Sequence, residues 1–115
     1  MYPLIYHKSL TLEKWSAYPK MQQILMISNE LNRAKNWIMK LQNNEANLAY
    51  ERAFELIDLS KADIKWKNTA VELMRLKETL AEIYCQTDKD LNKNNLCLKL
   101  LIAFSTGSYN MLNGN

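Results

Sequence analysis

Side chains able to do chemistry are sparse in this chain. His7 is the single histidine and lies in an aromatic stretch with Tyr2, Tyr6, Trp15 and Tyr18. A lone imidazole there is expected to pack or face solvent rather than act as a base. With no histidine after residue 7, the Glu-x-x-His ligands of a di-iron bundle cannot be assembled. The Arg-to-His spacing of the small helical ribonuclease domains is missing for the same reason. Glycine occurs only at 107 and 114, which leaves no Gly-rich loop for phosphate. Two carboxylate pairs, Glu51/Glu55 and Glu78/Glu82, have the i,i+4 spacing that could share a proton or a cation. On outer helix faces they are expected to be solvated, with Arg52 and Arg75 reducing the repulsion. Cys85 and Cys97 straddle a predicted turn, where Cys85 should face a position near residue 91 instead of its fellow thiol. Two thiols and one histidine also lack the spacing of a zinc site. The residues therefore predict a protein that is not an enzyme, with no metal, no cofactor and two reduced, partly buried thiols.

Composition sets the next bounds. The 115 residues are 48% hydrophobic and 23% charged, with two glycines and two prolines. That is one ordinary globular domain, too poor in turn formers for a β sandwich or barrel. The longest apolar run, Leu96 to Phe104, is interrupted by Lys99 and too short to span a bilayer. The opening Met-Tyr-Pro-Leu-Ile-Tyr-His-Lys has no basic region followed by an apolar core, so no secretory signal is expected. These readings point to the cytoplasm, without a membrane partner. A formal charge of +3 and a pI near 8.8 permit nucleic-acid binding without recommending it.

The positioning elements follow from apolar spacing. Ile24, Ile27, Leu31, Ala34, Ile38 and Leu41 recur at steps of three and four, and so do Trp66, Thr69, Leu73, Leu76, Leu80 and Ile83. Each set lays one seam along a helix and asks for helical partners. The first long helix is expected from Pro19 to about residue 42, with Gln22, Asn29 and Asn36 on its solvated ridge. A second, over about 45–62, is capped by Asn44 and turns Ala46, Ala49, Tyr50, Ala53, Phe54, Leu56 and Ile57 inward. The third covers about 65–86. The fourth runs over about 89–105, capped by Asp88 or Asp90, with Leu91, Leu98, Leu101 and Ile102 along it and Thr106-Gly107 as its stop. Short links make sequential helices antiparallel. The expected fold is all-α: a single-domain, up-down-up-down four-helix bundle over 19–106. An aromatic arm or short helix over 1–18, in which Thr11 caps a turn, precedes it, and a tail over 107–115 follows. The arm packs over one end of the bundle or reaches a neighbouring subunit.

Two surfaces could carry function. Leu25, Met26 and Met39 lie off the first seam, and Val71 and Met74 off the other; together they would suit self-association or a helical partner. Arg33, Lys40, Lys65, Lys67, Arg75 and Lys77, close in sequence to Trp37 and Trp66, are candidate nucleic-acid contacts. The Leu12-Glu13-Lys14-Trp15 opening, with a compact basic bundle behind it, resembles the four-helix proteins encoded within ribosomal RNA intervening sequences. It is also similar to their relative, the accessory protein of diversity-generating retroelements, which forms rings and binds nucleic acid and a reverse transcriptase. The resemblance covers those few residues and the predicted architecture, and it assigns no residue a role. It implies a ring-forming accessory factor that binds nucleic acid. The residues themselves favour a non-enzymatic interaction or accessory protein of the prokaryotic cytoplasm that associates with itself or another protein. Nucleic acid is the alternative partner, and no small-molecule substrate is indicated.

Overall fold

Thr11 opens the first helix: its Oγ1 accepts the Lys14 N–H at 3.1 Å, satisfying one of the donors a helix start leaves open. This helix, α1 (Leu12–Ala17), is short because Pro19 bars the residue before it from helical geometry. Tyr18 accordingly is extended, at φ −74° and ψ 141°. Pro19 then occupies the N-cap of α2 (Lys20–Met39), where its missing N–H costs nothing. The computed structural model describes residues 6–106, and side chains through residue 104. The expectations for Tyr2, Leu4, Ile5, the Gly107 stop and the tail lie outside the described residues.

The end of α2 departs from the expected seam. The Leu41 N–H donates to the Ile38 carbonyl at 3.0 Å and the Gln42 N–H to Trp37 at 2.9 Å, the crossed bonds of a Schellman close. The closing residue has φ 59°, a left-handed conformation normally given to glycine. Leu41 is thereby swung out of the core and is 88% exposed. Leu41→Gly is expected to stabilise the fold by roughly 0.5–1 kcal/mol, glycine's greater freedom when unfolded offsetting part of the gain. The midpoint of urea unfolding measures this, and an unchanged or lower midpoint would contradict the assigned strain.

Helix α3 (Asn43–Ala62) starts earlier than expected, and Asn44 does not cap it. The N-cap position is held by Gln42 without a side-chain bond. Asn43 instead reaches across to the Thr87 carbonyl at 2.6 Å. After Asp63 the chain forms a 3₁₀ segment, Ile64–Thr69, before α4 (Ala70–Cys85), so the expected helix over 65–86 is divided. Asp63 initiates the tight winding: its Oδ1 accepts the Lys65 N–H and its carbonyl the Trp66 N–H, both at 3.0 Å. Helix α5 (Leu91–Thr106) is capped by Asp90, whose Oδ1 accepts the Lys93 N–H at 3.1 Å. Just before it, the buried Lys89 ammonium donates to the carbonyls of Ile83, Tyr84 and Gln86, closing the negative end of α4. Burial lowers its pKa from the ordinary lysine value.

The result is an all-α bundle, with no strand among the described residues. Helix α2 packs on α3 and α5, which α4 also contacts. Cross-helix pairs give the relative placement: Gln23 meets Asp63 and Glu30 meets Arg52, while Asp58 meets Lys77 and Glu51 meets Tyr84. Both seams lie inside, apart from half-buried Ile38 and Thr69 and the displaced Leu41. Trp15 joins them, and Trp66 at the head of the second seam is fully buried, so neither indole is a surface for stacking on bases. On α5 the inward line is Asn94, Cys97, Leu101 and Phe104. Leu91 and Leu98 are half-buried and Ile102 is exposed, a correction to the expected inner face. Cys85 is exposed and Cys97 buried, both as free thiols. Burial pushes the Cys97 thiol up to about 11.

Candidate interaction surface

The N-terminal arm is fastened to its own bundle over the described residues. Glu55 accepts the backbone N–H groups of Tyr6 and His7 at 3.1–3.3 Å and lies 2.8 Å from His7 Nδ1. Glu51 accepts the Tyr6 hydroxyl at 2.6 Å and the Tyr84 hydroxyl at 3.0 Å. The Glu51/Glu55 pair, expected to be solvated, is thus half-buried beneath the arm. This use was hidden in the sequence because the donors come from residues 33 to 49 positions away. Hydrogen bonding to Glu51, with some burial and its charge, raises the pKa of both tyrosines. No group of three or more metal-ligating side chains occurs among the described residues. Nor is any of their helices long and apolar enough to cross a membrane.

The basic candidates do not converge on an open face. Arg33 pairs with buried Glu30 at 2.9 Å, Lys65 with buried Asp63 at 2.9 Å, and Lys77 with Asp58 at 2.6 Å. Lys40 lies over the Trp37 ring, 5.2 Å from its centroid. Lys67 and Arg75 are exposed. Buried Glu30 also accepts Arg52 Nε at 3.1 Å, so Arg33 belongs to a clamp between α2 and α3.

The apolar candidates separate more clearly. Met26 is half-buried against the core, whereas Leu25 is 52% exposed and Met39 64% exposed. Val71 is exposed and Met74 half-buried on α4. Met21, one turn before Leu25, is 57% exposed. Met21, Leu25, Ser28, Asn32, Lys35 and Met39 recur at steps of four and three. They form a second stripe on α2, beside the buried one. Where this stripe meets Leu98 and Ile102 of α5, a groove of about 350 Å³ opens, floored by Ile24 and Ser28 and edged by Asn29 and Asn32. Its lining carries no charged side chain. Sequence reasoning found Leu25 but missed Met21, Ser28 and the α5 wall, because the rotation of α5 is not set by its own apolar pattern. Ser28 is 8% exposed, and its hydroxyl has no hydrogen-bond partner among the described residues. Such a group is costly to bury unmatched. No family model matches the chain, and no curated protein or solved structure matches it.

Proposed function

We propose that this chain is a non-enzymatic helical interaction protein of the cytoplasm that self-associates, in the manner of an accessory subunit, through the outer face of α2 and α5. The observation that supports this reading is the uncharged apolar groove: Met21 and Leu25 stand exposed beside Leu98 and Ile102 on adjoining helices. Contiguous apolar surface of this kind is what association removes from water. The nucleic-acid alternative has weaker support, since Arg33, Lys65 and Lys77 each already hold a carboxylate.

Leu25→Glu tests the reading. A carboxylate at a half-exposed position leaves the monomer folded but must be desolvated on association, and in a symmetric contact it enters twice. The dissociation constant is expected to rise by about thirtyfold or more, with far-UV circular dichroism unchanged. An oligomer indifferent to Leu25→Glu would place the contact elsewhere. Binding of RNA that collapses with added salt, and that Lys67→Glu weakens, would favour the alternative.

A further inference from the structure

Leu41 costs its own fold twice. It is the one non-glycine residue at positive φ among the described residues, and its side chain stands 88% exposed. An exposed leucine alone is ordinary on a protein surface, but one held in strained backbone is of the kind found at binding turns. Met39, two residues before it, is exposed as well, so the turn between α2 and α3 presents an apolar knob. Lys40 between them is the only charge from 36 to 44, and its ammonium lies back over its own Trp37 ring. We propose that this knob of one copy docks in the α2–α5 groove of the next, with Leu41 seated among Met21, Leu25, Leu98 and Ile102. This rests on the self-association reading and specifies its contact as head-to-tail.

Distance, chemistry and fit select a second copy as the occupant. Helix α2 carries Leu41 about 24 Å along its axis from Leu25, at about 1.5 Å per residue, so no chain can seat Leu41 beside its own Leu25. Knob and groove belong to one sequence yet can meet only between copies. The lining of the groove is uncharged and Lys40 is held over Trp37, so Leu41 and Met39 enter without taking an ion out of water. A groove of about 350 Å³ has room for a leucine side chain. Asn29 and Asn32 at its edge can both donate to and accept from the Gln42 and Asn44 amides that arrive with the turn. Because knob and groove are different surfaces, the contact is heterologous, and each added copy leaves one of each open.

Mixing two variants that cannot assemble alone tests the contact. Leu41→Gly removes the knob, keeps the groove and relieves the backbone strain. Leu41→Asn removes it too, with a side chain that also tolerates the left-handed conformation. Leu25→Glu spoils the groove and keeps the knob. In sedimentation velocity of the full chain over a dilution series, each Leu41 variant is expected to associate about thirtyfold more weakly than the wild type. Circular dichroism of each variant checks that it is folded. Mixed in equal amounts, Leu41→Gly and Leu25→Glu should form a complex of two chains and nothing larger, since one intact knob meets one intact groove. Suppose instead that Leu25→Glu dissociates the assembly while both Leu41 variants associate like the wild type. The groove is then an interface filled by another face of the copy, and the knob docking is overturned. Loss of assembly in every variant with no two-chain complex on mixing also overturns it, because a symmetric contact behaves that way. A wild type that stays monomeric at every concentration overturns both the self-association reading and this one.

Discussion

Gln23→Leu is expected to lower the stability of the fold by about 3–4 kcal/mol, since it leaves the buried Trp66 indole N–H unmatched and removes one bond each from the Trp15 carbonyl and the Asp63 carboxylate. The Gln23 amide is wholly buried where α1, α2 and the 3₁₀ segment meet. Its Nε2 donates to the Trp15 carbonyl at 2.7 Å and to Asp63 Oδ2 at 2.8 Å, and its Oε1 accepts the Trp66 indole N–H at 2.8 Å. Leucine fills much of the same volume but satisfies none of these groups. At about 4 °C per kcal/mol for a domain slightly above 100 residues, the melting temperature should fall by about 12 °C or more. A loss of only a few degrees would contradict the accounting.

The same variant should alter acid unfolding. Burial pushes the Asp63 carboxyl up, but hydrogen bonds from Gln23 and Lys65, with the Lys65 charge, outweigh this and hold it below the ordinary value of 3.8. A carboxylate depressed in the folded state contributes stability that is present above 3.8 and lost as the pH falls through the folded value. Removing the Gln23 bond raises the folded value, so stability should fall less steeply at the acid end.

The second large effect is expected at Asn94, on the opposite side of the core. Its Oδ1 accepts the buried Tyr50 hydroxyl at 2.7 Å, and its Nδ2 donates to the Leu31 carbonyl at 3.2 Å, joining α5 to α3 and α2. Asn94→Leu should cost about 3 kcal/mol, mostly because a phenol is left unmatched in the interior. Burial already raises the Tyr50 pKa, with a lesser contribution from Cys97. Adding Tyr50→Phe to Asn94→Leu removes the orphaned hydroxyl and should restore more than about 1 kcal/mol, although Tyr50→Phe alone destabilises. Chemical denaturation of the four proteins gives this cycle directly. Strictly additive losses would show that the two side chains act independently.

These two residues also show where sequence reading reaches its limit. The 3–4 spacing of Ile24, Ile27, Leu31 and Ala34, and of Leu73, Leu76, Leu80 and Ile83, marks faces that are buried. Apolar periodicity reports burial because burial is what selects it. Gln23 and Asn94 are equally inside, yet nothing local distinguishes them from solvated amides; their partners lie 8 to 63 residues away. Asn94 also explains the misjudged face of α5. It turns inward to reach Tyr50 and Leu31, so the next positions in line are Cys97, Leu101 and Phe104, while Leu98 and Ile102 turn toward α2 and the groove. Leu41 fails for another reason: the helix closes before it, and no glycine marks the left-handed residue.

The apolar candidate surface was legible only in part. Leu25 and Met39 stood off the seam and proved exposed, whereas Met26, with the same off-seam position, packs against the core. A helix that touches two neighbours buries more than a single stripe, and only the placement of α3 and α5 decides which flank is covered. The basic residues misled for a related reason. Their carboxylate partners, Glu30 and Asp63, are buried, and spacing along the chain does not announce that.

The most direct test of self-association is the mass of the protein in solution, by sedimentation equilibrium across a concentration series, for the wild type and Leu25→Glu side by side. The wild type is predicted to exceed the 13.5 kDa of one chain and to approach it on dilution. Leu25→Glu is predicted to run as a folded 13.5 kDa monomer where the wild type is associated. A wild type at 13.5 kDa throughout, or a variant whose mass tracks the wild type, would contradict assembly through the face of α2 and α5.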